Sequence, residues 1–456
     1  MPKADKFVSK LKEIAGKATV IQDRDRLDAY ALDGKRPKVI VSPRTMDEVS
    51  KVIAYANQQR LAVIPMGNGT KIGMGGIPKK MDIVLLTRRL NRITDCDIDN
   101  LTFSAESGIS INEVQRHLAK EGRGYFLPLD PSFTDKATLG GIVATNSSGP
   151  KRLLYGTARD LIIGMKTVFA NGDIVVSGGK TVKNVSGYDM CKLLIGSFGT
   201  LGIICEITFK ILPLPEKEAT LLVPFKALDE ADGFVQEVSH SQLVPASIET
   251  LNATAVTKMK YRVSLPGEGN YLVVIGLEGV AESIERQITE MGALGKRHGA
   301  LETVTLDSEK HDAFWNTFRN FSKGLVRGYP DLITLKSNVL ISKCGKVMES
   351  YEKIAKGSGM DCAFICHSGN GILYSYVLAD KSVRTKVESL VKLVKKLTSE
   401  AVKNEGNLVV ESSPFSIRKK LDVWGRSRSD YQVMRRIKKQ VDPSGVLNPG
   451  RFLGGI

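Results

Sequence analysis

The sequence predicts an α+β protein built from two or three domains. A chain of 456 residues is too long for one compact core. Strand-like and helix-like hydrophobic patterns alternate in residues 17–95 and again from about 217 to 430. Between them, residues 98–213 combine short strand patterns with a dense set of glycines. These observations together predict the α+β class and the main divisions of the chain.

The first zone contains a regular succession of helix and strand patterns. The N-terminus, MPKADKFVSKLKEIAG, predicts an amphipathic helix and lacks the apolar region of a secretory signal. PKVIVSP predicts a strand, MDEVSKVIAYANQQR a helix, and AVIPMG and DIVLLT two further strands. This order is typical of strand–helix alternation around a small sheet.

The stretch LAVIPMGNGTKIGMGG at 61–76 is the first candidate binding loop. Gly67 and Gly69 fit a dinucleotide fingerprint, but the third glycine is one position late and a strand follows where a helix is needed. A Walker A loop is excluded because no Gly-Lys-Ser/Thr is present. Two interpretations stay open at this point: a loop whose amides bind an anion, and a glycine-rich hairpin without a ligand.

The middle zone adds two longer glycine-rich segments, 127–160 and 178–204. Together with the first stretch they predict three glycine loops, in which small residues allow close approach of the backbone to a large planar ligand. Neutral donors that suit a diphosphate are Thr138, Asn146, Ser147, Ser148 and Thr200. Residues that suit an apolar wall against a ring system are Val182, Val185, Ile203 and Ile204.

The third zone has longer helices. YLVVIGLEG predicts a strand and AESIERQITEMGALGKRHG a helix, while the lysine-rich stretch 382–406 has apolar residues at helical spacing and lysines on its solvent face. No internal repeat stands out in the sequence. The tail DPSGVLNPGRFLGGI, with two proline-bearing turns, predicts a docked C-terminus.

The composition narrows the class of protein. The net charge of +16 suits docking on an acidic protein or an anionic membrane surface, and a solvated basic surface explains it equally well. Nucleic-acid binding is not expected, since the basic residues are dispersed and the aromatic content is only 6%. Six scattered cysteines without a CxxC pair argue against disulfide and iron–sulfur frameworks and indicate a reducing cytoplasm.

Several ordered motifs resemble a known family. PMGNGT, ATLGGIVATNSSGP, YGTARD, TVKNVSGYD, GSFGTLGIICEITFKILPLP and DPSGVLNPGRF are similar to the FAD-binding domain of the vanillyl-alcohol oxidase/PCMH flavoprotein superfamily. Within it, the chain resembles the FAD-linked subunits of glycolate oxidase and D-lactate dehydrogenase over nearly its whole length. The resemblance implies an N-terminal helix (1–16), a two-subdomain PCMH-type FAD-binding domain (17–215, with subdomains at about 17–95 and 98–213), an α+β ferredoxin-like cap domain (216–430) and a C-terminal segment that returns to the FAD domain (431–456).

By this resemblance, the loop at 66–71 wraps the FAD pyrophosphate, residues 138–149 hold the diphosphate and ribityl chain, and 199–204 line the flavin or adenine side. The implied cofactor-binding residues are Pro65, Met66, Gly67, Asn68, Gly69, Thr70, Lys71, Pro128, Thr138, Leu139, Gly140, Gly141, Ala144, Thr145, Ser147, Ser148, Gly149, Tyr155, Gly156, Lys183, Asn184, Gly199, Thr200, Gly202, Ile203, Ile204 and Asn448. Residues 66–76 contain neither His nor Cys, so the FAD is expected to be non-covalent.

Active members of the family carry an H-x-G-D-G-N-x-H sequence and a later Glu-His pair, which bind a divalent metal beside the substrate. Here the stretch is HSGNGILY: His367 is present, but Asn370, Ile372 and Tyr374 replace the other key residues, and the later pair is Glu411-Ser412. No bound metal is expected, because one His and one Glu are too few ligands. This degenerate motif, with LDVWG at 421–425, resembles the second, shorter FAD-binding subunit of glycolate oxidase.

The resemblance implies an oxidoreductase that takes a hydride from a 2-hydroxy acid to FAD. Three residues are candidates for the chemistry. His367 is a candidate base, although its strand-like setting also suits a core histidine. Lys336 is a candidate substrate-binding residue, and Arg319 is a candidate carboxylate clamp by approximate register. A second hypothesis is a non-catalytic or electron-relaying FAD subunit that supports a catalytic paralogue. Expected partners are an iron–sulfur subunit, a catalytic FAD paralogue or an electron-transfer flavoprotein, in a hetero-oligomer that is cytoplasmic or peripheral to the inner face of the membrane.

Overall fold

The structure is a computed structural model that describes residues 3–181, 187–259, 269–379, 387–425 and 429–456. The chain divides into two compact units. Unit 1 comprises Met1–Ser148, Thr157–Leu214 and Ser427–Ile456, and unit 2 comprises Gly149–Gly156 and Pro215–Arg426. Among the described residues, no helix combines the length and apolar character needed to cross a membrane.

Unit 1 contains two main sheets. Its strands are β1 (Val20–Ile21), β2 (Val39–Val41), β3 (Val63–Met66), β4 (Ile83–Leu86), β5 (Ile93–Asp97), β6 (Thr102–Glu106), β7 (Tyr125–Phe126), β8 (Ile162–Val168), β9 (Ile174–Gly178), β10 (Ile203–Lys210) and β11 (Leu212–Pro213). Its helices are α1 (Lys3–Ala15), α2 (Arg24–Asp28), α3 (Met46–Gln58), α4 (Ile111–Leu118), α5 (Leu139–Thr145), α7 (Ala158–Leu161), α8 (Met190–Leu194) and α17 (Tyr431–Val441); α6 belongs to unit 2.

The first sheet has the order β1-β2-β4-β3, with β2, β4 and β3 parallel. The crossover helix α3 begins where the Thr45 side chain accepts a hydrogen bond from the Glu48 amide at 3.2 Å. Its apolar positions Val49, Val52, Ile53 and Ala56 recur at helical spacing and are all buried. The predicted strand–helix alternation is therefore present in this zone.

The second sheet is fully antiparallel, in the order β5-β6-β10-β8-β9. Helices α4 and α5 pack on it through a cluster that includes Val114, Leu118, Ile142 and Val143. The prediction of a glycine loop across ATLGGIVAT is wrong, since residues 139–145 form α5. The helix forms because Thr138 caps its first turn and its apolar residues are buried, which outweighs the weak helix propensity of Gly140 and Gly141.

Unit 2 is built on one eight-stranded antiparallel sheet. Its strands are β12 (Lys217–Phe225), β13 (Ser247–Asn252), β14 (Tyr271–Gly279), β15 (Val304–Asp307), β16 (Ile333–Asn338), β17 (Cys362–His367), β18 (Ile372–Val377) and β19 (Asn407–Ser412). Its helices are α6 (Arg152–Tyr155), α9 (Leu228–His240), α10 (Ala253–Lys258), α11 (Ala281–Arg297), α12 (Ser308–Arg319), α13 (Phe321–Val326), α14 (Cys344–Gly357), α15 (Val387–Lys403) and α16 (Phe415–Arg418).

The sheet order β15-β12-β14-β13-β17-β18-β16-β19 contains a duplication. The strands β12 to β15 and the strands β16 to β19 each follow the βαββαβ arrangement of a ferredoxin-like fold, and β13 pairs with β17 to join the two halves. The sequence carries no visible repeat, because the two halves share a topology and not a residue pattern. The α+β prediction is confirmed.

The two faces of this sheet differ. Helices α9, α11, α14 and α15 cover one face through two apolar clusters. The other face packs against α10, α12 and α13, and carries aromatic residues such as Phe314, Trp315 and Phe318. Because side chains alternate along each strand, Glu249, His367, Tyr374 and Lys336 all lie on this second face.

Candidate functional site

Unit 1 contains a cleft of about 740 Å³, open solvent at its mouth included. Three segments line it: the end of β3 with the glycine loop that follows, the start of α5, and the turn that leads into β10. The C-terminal residues Asn448 and Arg451 complete the wall. The segments meet because β10 shares one apolar cluster with α5 and another with β3.

Glycine is required where these segments touch. A Cβ on Gly67 would lie 2.2 Å from the Thr138 hydroxyl oxygen, so the first loop and the N-cap of α5 approach too closely for any side chain. Gly199 has a φ of +65°, in the left-handed region, and a Cβ there would lie 2.7 Å from Cγ of the Pro65 ring. The glycines therefore set the width of the cleft at two of its corners.

Most of the residues expected to bind FAD line this cleft. They are Pro65, Met66, Gly67, Asn68, Gly69, Thr70, Lys71, Thr138, Gly140, Gly141, Ala144, Thr145, Gly199, Gly202, Ile203, Ile204 and Asn448. Sequence reasoning missed Ile72, Thr87, Phe198 and Arg451, which also line it. The LNPGR sequence beside the predicted Asn448 could have indicated Arg451, whereas Thr87 begins a short 3-10 helix after β4 and no local motif marks it.

The remaining predicted residues lie elsewhere. Those of unit 1 that do not line the cleft are Pro128, Leu139, Ser147, Ser148 and Thr200, of which Leu139 points into the apolar core. Gly149, Tyr155 and Gly156 belong to unit 2, where the Tyr155 hydroxyl donates to the Glu278 carboxylate at 2.7 Å. Lys183 and Asn184, with the wall residues Val182 and Val185, lie outside the described residues.

The chemistry of the cleft fits FAD. Among the described residues, the charged side chains that line it are those of Lys71 and Arg451, and both are cationic, which favours an anionic ligand such as a diphosphate. The buried Oδ1 of Asn448 has no hydrogen-bond partner in the described parts of the chain, so it is available to a ligand donor. Ile203 and Ile204 supply an apolar side for a ring system.

Unit 2 brings a second polar group together around His367. His367 ends β17 and lies directly opposite Glu249 of β13, and its Nδ1 is hydrogen-bonded to the Glu249 carboxylate. Both side chains are buried, with Glu249 fully so. Because a carboxylate only accepts hydrogen bonds, Nδ1 carries a proton in this pair, and in the neutral form of the imidazole the lone pair is on Nε2. Nothing local in the sequence marked Glu249, which is 118 residues away.

Tyr374 and Lys336 continue this group across the sheet. The rings of His367 and Tyr374 meet edge to face, with centroids 5.3 Å apart, and Tyr374 is directly opposite Lys336 in the β16–β18 register. Lys336 Nζ lies 3.8 Å from Glu411 Oε1 and 5.8 Å from the centre of the Tyr374 ring. Burial lowers the pKa of the Lys336 ammonium, against the opposing effect of Glu411, and burial raises the pKa of the Tyr374 phenol well above its usual range.

Two arginines of unit 2, the predicted Arg319 and the unpredicted Arg152, have different surroundings. Arg319 is the last residue of α12, and no hydrogen bond or ion pair between described residues joins it to His367 or Lys336. Its buried Nε has no hydrogen-bond partner among those residues. Arg152 of α6 was missed by sequence reasoning, yet its positive charge acts on both Lys336 and Tyr374. Arg152 is therefore a further candidate for binding an anionic substrate.

The residues at the family's metal position do not fit a divalent cation. Nδ1 of His367 is engaged by Glu249, Tyr374 is a neutral phenol, and Glu411 faces the Lys336 ammonium. Elsewhere in the described ranges, Glu218, His311 and Asp312 are close enough to share an ion. However, the Lys151 ammonium is 2.9 Å from Glu218, so a cation of the protein itself already neutralises that carboxylate.

Comparisons with known proteins agree with this reading of the cleft. Residues 37–178 match the family described as FAD binding domain, and residues 214–452 match the family described as FAD linked oxidases, C-terminal domain. The second match spans more than half of the chain, so this protein belongs to that family. It is an FAD-linked oxidoreductase of the PCMH type, and the predicted resemblance, the FAD cofactor and the enzyme class are confirmed.

Individual relatives cover nearly the whole chain. The glycolate oxidase subunit GlcD of Bacillus subtilis is 29% identical over 91% of this chain and 89% of its own length. A D-lactate dehydrogenase of Archaeoglobus fulgidus is 28% identical, covering 93% and 96%. A D-2-hydroxyglutarate dehydrogenase of Stutzerimonas stutzeri is 23% identical, covering 98% of each chain.

The same fold occurs in solved structures. A substrate-bound p-cresol methylhydroxylase matches with a TM-score of 0.78 and 18% identity, over 99% of this chain and 97% of its own. A 4-ethylphenol oxidase from Gulosibacter chungangensis gives the same TM-score at 16% identity and the same coverage. At this level of identity the likeness shows the fold alone.

Proposed function

We propose that this chain oxidises a 2-hydroxy acid of the glycolate or D-lactate type to the 2-oxo acid. The observation that carries the proposal is the hydrogen-bonded pair of Glu249 and His367, with Tyr374 and then Lys336 following it on the same face of the sheet. The relatives named as glycolate oxidase, D-lactate dehydrogenase and D-2-hydroxyglutarate dehydrogenase all share this class of substrate by name, which supports it. Bound FAD would supply the acceptor for the hydride of the α-carbon.

Each residue then has a defined task. The Glu249 carboxylate keeps the proton of His367 on Nδ1, so that Nε2 takes the proton of the substrate hydroxyl. The Lys336 ammonium pairs with the substrate carboxylate, with Arg152 as a second positive charge, and Glu411 holds Lys336 in place. Arg319 stays a predicted clamp. No step in this scheme requires a metal.

A second function is favoured by one observation. The family's metal position here holds Tyr374 and an ammonium-paired Glu411, which suits a subunit that holds FAD and relays electrons for a catalytic paralogue. In that case, the Glu249–His367 pair is a structural element of the sheet.

One experiment separates the two. The chain is purified alone with FAD and mixed anaerobically with glycolate, D-lactate, L-lactate and D-2-hydroxyglutarate, while the flavin absorbance is followed. Bleaching by an acid supports catalysis by this chain and names the acid. Bleaching of this chain's flavin, beyond that of the paralogue's own FAD, that appears only after a catalytic paralogue is added supports the relay function, and no bleaching of this chain's flavin in either case contradicts both.

The proposed partner is an iron–sulfur protein or an electron-transfer flavoprotein in a hetero-oligomer. The six cysteines are scattered along the sequence without the spacing of a cluster-binding motif, which favours a separate protein as the carrier of an iron–sulfur cluster. The net charge of +16 suits an acidic partner surface. A pull-down at low and high salt tests this, since screening acts over about 8 Å at physiological ionic strength. A salt-independent monomer or homo-oligomer that turns over a 2-hydroxy acid with oxygen at full rate contradicts the proposal.

A further inference from the structure

The C-terminal Arg451 is one of the largest fully buried side chains of the protein, with 2% of its surface exposed. Its guanidinium donates to three main-chain carbonyls of one loop. Nη2 contacts the carbonyl oxygens of Ile72 and Met74, and Nη1 contacts that of Gly76, each at 2.5 Å. The bonds join positions that are 375 to 379 residues apart in sequence.

The backbone reinforces this contact. The Gly76 amide donates to the Arg451 carbonyl at 2.9 Å, and the Lys79 amide donates to the Pro449 carbonyl at 2.8 Å. A Cβ on Gly76 would lie 2.3 Å from the Gly450 carbonyl oxygen. The C-terminal turn and the loop therefore lie against each other without space for a side chain between them.

The loop in question is the one that lines the FAD cleft. Residues 67–76 lie between β3 and β4 and form neither helix nor strand, so the carbonyls of Ile72, Met74 and Gly76 cannot be satisfied by a regular ladder. The planar, five-donor guanidinium satisfies all three at once. An ammonium has one donor centre and cannot span carbonyls spread over five residues in the same way.

We infer that Arg451 is a positioning residue for FAD. It fixes the 67–76 loop in the conformation that holds the cofactor, so the loop is already ordered before FAD binds. The inference rests on FAD binding, which holds for this family whichever acid is oxidised, and it stands if the proposed substrate or the proposed catalytic role of His367 fails.

The test measures FAD affinity and loop exchange in the FAD-free protein. We expect Arg451→Met to raise the FAD dissociation constant about 10-fold or more and to speed amide hydrogen exchange in residues 67–77. The matched control is Lys79→Met. Lys79 is exposed and its Nζ donates to the Gly455 carbonyl at 2.6 Å, so it ties the same two segments together without touching the Ile72, Met74 or Gly76 carbonyls. We expect the FAD dissociation constant of the Lys79→Met variant to stay within about two-fold of the wild-type value.

Arg451→Lys keeps the charge and most of the volume, and decides the question if the methionine variant does not fold. We expect it to raise the FAD dissociation constant and the rate of amide hydrogen exchange in the loop to values between those of the wild type and the methionine variant, because the lysine lacks the planar set of guanidinium donors. The inference is overturned if Arg451→Lys, and Arg451→Met where it folds, keep both the wild-type affinity for FAD and the wild-type rate of amide hydrogen exchange in the loop. An equal effect of Lys79→Met overturns it too, since general anchoring of the C-terminus then explains the loss.

Discussion

Replacing Glu249 by Gln tests the proposed base. The substitution keeps the volume of a fully buried side chain and removes its charge. A Gln amide can donate its own N–H to His367 Nδ1, which moves the imidazole proton to Nε2. In that tautomer Nε2 has no lone pair to accept the proton of the substrate hydroxyl.

Two magnitudes follow from this change. A general base contributes about 100- to 10,000-fold to a rate, so we expect the rate of flavin reduction to fall within that range. The folded state loses a charge-assisted hydrogen bond, worth about 1.5–3 kcal/mol, and keeps a neutral one of about 0.5–1.5 kcal/mol. The free energy of unfolding is therefore expected to fall by only about 1–2 kcal/mol, and the protein should remain folded at room temperature.

The assay is anaerobic stopped-flow reduction of the flavin by a saturating 2-hydroxy acid, normalised to bound FAD. Glu352→Gln is the matched control, because Glu352 also accepts hydrogen bonds, from the Tyr271 hydroxyl at 2.7 Å and the Asn252 amide at 3.2 Å. Asn252 points to the opposite face of the sheet from Glu249, so this variant should reduce its flavin at the wild-type rate. A Glu249→Gln variant that reduces its flavin within about three-fold of the wild-type rate refutes the reasoning.

Four further outcomes are expected. Gly67→Ala should lower the flavin-to-protein absorbance ratio, because its Cβ would lie 2.2 Å from the Thr138 hydroxyl, whereas Gly292→Ala, where nothing lies within 4 Å, should leave the ratio unchanged. Burial lowers the pKa of His311 below its usual 6.5, so the unfolded chain takes up the proton at a higher pH than the folded chain does. The free energy of unfolding therefore falls as the pH falls from about 6.5 towards the folded pKa. His311→Asn should flatten this slope, by at most about 1.4 kcal/mol per pH unit, in urea titrations between about pH 5 and 7. Acid precipitation should release the FAD into the supernatant, and a yellow protein pellet would show a covalent bond. Metal analysis after dialysis should find no stoichiometric divalent metal, and near-stoichiometric zinc, manganese or iron would contradict this expectation.

Local sequence determined the elements whose signals are short-range. The strands β2, β3 and β4 and the helix α3 follow from hydrophobic periodicity and from the Thr45 cap, which act within a few residues. The glycine loop at 67–71 and the turn before β10 were expected to bind FAD, and both line the cleft. The ordered motifs were enough to predict the family, because a backbone that closely approaches a cofactor needs glycine at fixed positions.

Tertiary structure decided what depends on distant partners. Helix α5 forms within a glycine-rich segment because its apolar residues are buried against the sheet, a contact that no local pattern predicts. The two ferredoxin-like halves of unit 2 became visible only through strand order.

The same holds for the residues of the site. Glu249 meets His367 through the register of two strands, and Arg451 reaches the 67–76 loop from the other end of the chain. Strand pairing and loop contacts of this kind are set by which surfaces become buried in the whole fold. The sequence by itself therefore determined the cofactor and the loops that line the cleft of unit 1, while the partner of the candidate base and the contacts of the loop with the C-terminal segment were decided by packing between residues more than a hundred positions apart.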